Sequence, residues 1–124
     1  MTIDVIPFGG VERPDRTIVW PDDHMMNVLG FAEALASAVH VLLPRHVEVP
    51  VASLPAQSIL NLVAWRDRRW DNRKDAVDLR SILMAYHHGP YQDELYDSHL
   101  HLLERHEFDP AAAGAERIGN EASA

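Results

Sequence analysis

The spacing of apolar positions divides the chain near residue 53. Before it, short runs alternate: "TIDVI" at 2–6 and "RTIVW" at 16–20 have strand character, and Pro7, Gly9, Gly10 and Pro21 punctuate them. These two runs predict a hairpin with a long connection. The segment from Asp22 to Gly30 reads as loop, and Phe31 opens two turns of helix. "AVHVLL" at 38–43 and "HVEVPVA" at 46–52 flank Pro44-Arg45 as two further strands, with Pro50 confining the second to an edge. After residue 53 the period changes from two to 3.6. Ala56, Ile59, Leu60 and Val63 form one helical stripe, and Leu79, Ile82, Leu83 and Tyr86 form another on a helix that Asp71 or Asn72 caps. Gly89-Pro90 ends that helix. A third is expected from about Tyr91 to Arg105 with Leu95, Leu102 and Leu103 buried, and a fourth from the Asp109 cap to Gly119.

Strands first and helices after make the class α+β: a small, mostly antiparallel sheet of about four strands followed by three to four helices. One domain over 1–119 is expected, with a sheet part at 1–52, a helical part at 53–119 and a frayed tail at 120–124. The length of 124 residues suits one modest core.

Composition narrows the function classes. No apolar run approaches the twenty or so residues of a membrane span, and the opening "MTIDVIPFGG" lacks a basic region before an apolar run, so a cytoplasmic protein is expected. Zero cysteines exclude disulfides, thiolate nucleophiles and Cys-ligated metals. Of the eight histidines, His99 and His101 stand two apart on a predicted helix and cannot chelate together, and no HExxH pattern is present. A formal charge of −8 opposes general nucleic-acid binding, yet six of the eleven basic residues lie between Arg66 and Arg80.

That cluster, "WRDRRWDNRKDAVDLRSIL" at 65–83, has two readings. In the first, Asp71, Asp75 and Asp78 share a helix face at i, i+4 and i+7 and form ion pairs with Lys74, Arg68, Arg69 and Arg73, tying two helices together. In the second, Lys74 and an arginine bind phosphate while a carboxylate orients them. Trp65, Trp70 and Trp20 serve as core or interface anchors or as stacking platforms. Asp4, between Ile3 and Val5, is either an exposed strand residue or a carboxylate ligand for a divalent metal.

Beyond these local readings, "DVIPFGGVE" followed by "LPAQSILNLVAWRDRRWDNRKDAVDL" resembles the nucleotidyltransferase-like proteins of the AbiEii/AbiGii abortive-infection toxin family, in their later part only. The resemblance implies an incomplete nucleotidyltransferase-like fold. It matches Asp4 to a strand carboxylate that binds Mg²⁺, and Arg73, Lys74, Asp75 and Asp78 to the family's "RKDxxDL" pattern. By it, Asp4, Lys74 and Asp75 are the catalytic candidates and Arg73 and Lys74 nucleotide or phosphate ligands, while the local charge pattern adds Arg69 to those ligands and puts Asp71 and Asp78 in ion pairs. An antitoxin-type partner is implied as well, and the basic run from Arg66 to Arg80 separately raises the expectation of a nucleotide- or RNA-binding module. Asn61 stands where these proteins usually carry a lysine. The Gly-rich turn with its aspartate pair is absent from the chain, so little catalysis is expected from it alone. A homodimer formed through an open sheet edge, the first strand being the candidate, and through an uncovered apolar sheet face is the competing, non-enzymatic expectation.

Overall fold

A computed structural model describes residues 1–124. The chain forms a small α+β protein that divides into two compact units, Met1–Ser53 and Leu54–Ala124. No helix is long and apolar enough to cross a membrane.

In the first unit, β1 (Thr17–Val19) pairs antiparallel with β2 (Met25–Asn27), placing Ile18 opposite Met26. The partner of the 16–20 run is therefore the segment read as loop, and the 2–6 run forms no strand. A five-residue connection makes the short hairpin. Trp20 and Asp23 donate backbone N–H groups to the carbonyls of His24 and Trp20, and Asp23 takes a left-handed φ of 64°. Local closure of this kind costs somewhat less chain entropy than pairing with residues 2–6, by about 0.5 kcal/mol. Helix α1 (Phe31–Ala36) follows Gly30, whose φ of 92° suits glycine. Arg16 binds the hairpin to α1: Nε donates to Glu12 Oε2 at 2.7 Å, and Nη1 and Nη2 donate to Glu33 at 3.2 and 3.0 Å. Glu33 accordingly lies below the usual carboxylate range, chiefly because of that hydrogen bond from Arg16. Ile18, Val28 and Ala34 are the buried apolar residues, a slender core for 53 positions.

A second ribbon, β3 (Val39–Leu43) with β4 (Val47–Val51), completes this unit as a separate two-stranded sheet. The four strands thus form two hairpins instead of one sheet. The 3₁₀ turn Pro44–His46 joins β3 to β4 with Arg45 and His46 both left-handed, at φ 67° and 60°.

The second unit is wholly helical: α2 (Leu54–Arg68), α3 (Lys74–Ala85), α4 (Gly89–Ser98), α5 (Leu100–Arg105) and α6 (Pro110–Ser123). The stripe Leu79, Ile82, Leu83 and Tyr86 faces inward, with Ile82 and Tyr86 buried, as its spacing predicts. On α2 the buried face is rotated, so that Ser58 is inside and Ile59 outside. The Ser58 hydroxyl tolerates burial because it donates to the Pro55 carbonyl at 2.7 Å. The expected third helix is two, broken at His99, and Leu95, Leu102 and Leu103 from both pieces pack on Ala113.

Helix α6 packs against each of the other four. It starts as its sequence dictates, with Asp109 accepting the N–H groups of Ala111 and Ala112 at 2.9 and 3.4 Å and Pro110 in the first turn. It runs through Gly119 to Ser123, so the predicted stop and frayed tail are replaced by helix. Gly114 allows the crossing with α3, because a Cβ there would lie 3.1 Å from the Tyr86 carbonyl carbon. Next to that contact the buried Tyr86 hydroxyl donates to Glu121 Oε2 at 2.6 Å, and its ring stacks on Tyr91 with centroids 4.4 Å apart. Arg117, 8% exposed, lies over Tyr86 and donates to Glu121 and Glu94 at 2.7 and 2.6 Å. Burial pushes the Tyr86 hydroxyl well above the usual phenol range, and the bond to Glu121 adds to this.

Candidate functional site

The charged stretch forms the elbow between α2 and α3. Helix α2 ends at Arg68, whose carbonyl accepts the N–H groups of Asp71 at 3.0 Å and Asn72 at 2.9 Å. Arg66 and Arg68 in its last turn complement the negative helix end. The start of α3 is prepared by Asn72, whose side-chain oxygen accepts the Lys74 N–H at 2.8 Å. Because α3 begins at Lys74, Asp71 lies outside the helix. Asp71, Asp75 and Asp78 therefore do not form the expected single helical face.

One bridge closes the elbow. Asp75 is 5% exposed and receives Arg68 in a fork, Nε to Oδ2 at 3.2 Å and Nη2 to Oδ1 at 2.6 Å. Lys74 Nζ approaches Asp78 Oδ2 at 3.6 Å on the exposed face of α3, a solvated pair of small energetic value. Asp71 forms no ion pair and lines the hollow that the elbow creates.

That hollow is an open cleft of about 990 Å³. Trp65, Arg69, Trp70, Arg73, Val77 and Arg80 are among its lining residues. The Arg69 guanidinium sits 5.8 Å from the Trp65 ring and 5.1 Å from the Trp70 ring, within cation–π range of both. Trp70 is 85% exposed, so at this position an indole is offered to solvent and does not anchor a core. Arg69, Arg73 and Arg80 have no carboxylate partner. Chemically the cleft offers three cations, which can form paired hydrogen bonds to phosphate or carboxylate, beside two aromatic faces.

The candidate residues thus separate. Arg69 and Arg73 come together in the cleft with Arg80, the end of the basic cluster, which is not among the expected phosphate ligands. Lys74 is engaged with Asp78, and Asp75 is engaged with Arg68. Asp4 is exposed in an irregular segment of the first unit. No three or more His, Cys, Asp or Glu residues come together as a metal site. Both Asp75 oxygens accept hydrogen bonds from Arg68, so this carboxylate already holds a cation. Arg80 was legible in principle, being seven residues and two turns along α3 from Arg73. The buried Arg117 shows only an i, i+4 spacing to Glu121, which surface pairs share.

Comparison of the chain with protein-family models, curated proteins and solved structures returns no match.

Proposed function

We propose that the helical unit binds the phosphates and an unpaired base of a nucleotide or single-stranded RNA in the elbow cleft, within a partial nucleotidyltransferase-like protein of the toxin type. The observation that carries this reading is the trio Arg69, Arg73 and Arg80, unmatched by any carboxylate partner and set beside the exposed Trp70. The "RKDAVDL" resemblance supports it at Arg73, and the same resemblance lacks the aspartate pair that a metal-dependent transfer needs. Binding without chemistry is therefore the function proposed for the chain alone.

Stacking of a base on an aromatic ring contributes about 1–3 kcal/mol, and phosphate contacts on a single strand give a salt slope near −0.7 per neutralised charge. Three contacts then predict a slope of about −2 in log affinity against log salt. The test is titration of tryptophan fluorescence with a short unstructured oligoribonucleotide at several salt concentrations. Trp70→Ala should weaken binding about tenfold or more, and Arg73→Ala with Arg80→Ala should flatten the salt slope. Absence of binding, or affinity indifferent to both salt and the arginine substitutions, refutes the proposal.

A further inference from the structure

The β3–β4 ribbon has two unlike faces. Cross-strand partners in an antiparallel pair point to the same side, and alternate pairs to opposite sides. Val39 faces Val51, Val41 faces Val49 and Leu43 faces Val47, so one side of the ribbon is six aliphatic residues with no polar atom in their side chains. The other side carries His40, Leu42, Glu48 and Pro50, and its two ionisable groups approach each other at 3.5 Å, His40 Nδ1 to Glu48 Oε1. All charge on the strands is thus held away from the aliphatic side.

That aliphatic side is open. Exposure runs from 39% at Val41 to 55% at Val39, with Leu43, Val47 and Val51 between them. No other element of the first unit packs extensively on β3 or β4. A two-stranded ribbon is marginal in water unless its apolar face is covered, and five half-exposed aliphatic side chains with the less exposed Val49 among them make a patch of a few hundred Å², roughly the largest that a monomer normally shows.

We infer that this face is a dimer interface, and that its occupant is the same face of a second copy of the chain. The face is self-complementary: under a two-fold axis it meets an identical aliphatic surface, so no charge is buried and no polar group is left unpaired. Any partner carrying charge at the contact would lose hydration and gain no counter-charge there. The size of the patch sets the strength. Two copies bury less than the roughly 1,200 Å² of stable complexes, so the dimer is weak and forms reversibly with concentration. The face belongs to the first unit and the elbow cleft to the second.

Sedimentation velocity of the full chain over a wide concentration range reads the association directly. Val41→Glu, at the centre of the face, should weaken it by about a hundredfold or more, because the new carboxylate meets its own symmetry copy. Leu42→Lys, on the opposite side and facing Glu48 across the strands, should leave it unchanged. Should Val41→Glu fail to fold, cross-linking keeps the question answerable. The chain has no cysteine, so Val41→Cys and His40→Cys each introduce a single thiol, and a bismaleimide spanning about 10 Å, the spacing of packed sheets, should link copies through position 41 and not through position 40. A monomer at every concentration overturns the inference, and would mean that the face is covered from within the chain or by a different protein. A dimer indifferent to Val41→Glu, or equal cross-linking at 40 and 41, overturns it too.

Discussion

Replacement of Arg68 by alanine is the sharpest test of what Asp75 does. The wild-type pair makes two charge-assisted hydrogen bonds, each of which contributes about 1.5–3 kcal/mol in partly buried settings. The two ends are unequally solvated, since the Arg68 side chain is 56% exposed and the Asp75 side chain 8%. Water can replace Asp75 around the guanidinium and cannot easily replace Arg68 around the carboxylate. Breaking a fully buried pair costs about 3–5 kcal/mol and an exposed one under about 1 kcal/mol. The first-turn position of Asp75 on α3 recovers part of the loss through the helix dipole. Arg68→Ala should therefore destabilise by about 2 kcal/mol. Asp75→Ala should cost about half as much, because the released guanidinium returns to water. Urea unfolding followed by far-UV circular dichroism measures both, and the double mutant gives the coupling energy, expected between about 1 and 2 kcal/mol. A cost under about 0.5 kcal/mol for Arg68→Ala, or a larger cost for Asp75→Ala than for Arg68→Ala, refutes the fastening role. The catalytic reading of Asp75 would then regain ground, since a group held for chemistry has no need to contribute to stability.

Two glycines on α6 should respond with opposite signs to the same substitution. Gly119→Ala meets nothing within 4 Å and should stabilise by up to about 1 kcal/mol through helix propensity. Gly114→Ala meets the Tyr86 backbone at 3.1–3.2 Å and should destabilise by about 1 kcal/mol or more despite the same propensity gain; equal midpoints in urea for the two variants would contradict the close crossing. The Tyr86 hydroxyl, raised by burial and then by Glu121, gives a pH signature. Its contribution is complete below the ordinary phenol value of 10.0 and is lost as pH rises above it toward the folded value, since only the unfolded chain then releases the proton. Tyr86→Phe should cost about 1–2 kcal/mol at neutral pH and remove part of the stability loss above pH 10, and a variant whose alkaline profile runs parallel to the wild type would rule this out.

What was legible in the sequence is what depends on neighbours a few residues away. The Asp109 cap, the inward stripe of α3 and the two valine-rich strands around Pro44 are local patterns, and the structure carries all three. The errors arise where distant or backbone effects decide. Residues 2–6 alternate well enough for a strand, but no neighbouring strand pairs with them, and alternation cannot reveal a missing partner. Met25–Asn27 is too short and too polar at Asn27 to register as a strand until the tight turn at 20–24 brings it beside Thr17–Val19. The break at His99 has no proline or glycine to announce it. For the site, the elbow was legible as a density of charge. Its partition into paired and unpaired groups was not, because Asp75 points inward to Arg68 only once α3 is known to begin at Lys74.

That partition explains how an acidic chain can carry a locally positive cleft. From Arg66 to Arg80 six cations stand against four carboxylates. Arg66 pairs with Asp67 at 3.3 Å, Arg68 with Asp75 and Lys74 with Asp78. Each pair neutralises its own charges, and of the three only Arg68–Asp75 spans the elbow and ties the end of α2 to the start of α3. Arg69, Arg73 and Arg80 then remain against Asp71 alone, a local excess of two positive charges around the cleft. Charges elsewhere on the surface are screened beyond a Debye length of about 10 Å, so the overall −8 slows the approach of an anion more than it weakens the anion once bound. Loss of the Arg68–Asp75 fork should therefore reduce oligoribonucleotide affinity although neither residue need touch the ligand, because the fork holds the segment that carries Arg69, Trp70 and Arg73. If Arg68→Ala lowers stability by the expected amount and leaves that affinity untouched, the elbow is a fastening between two helices and the cleft beside it has another use.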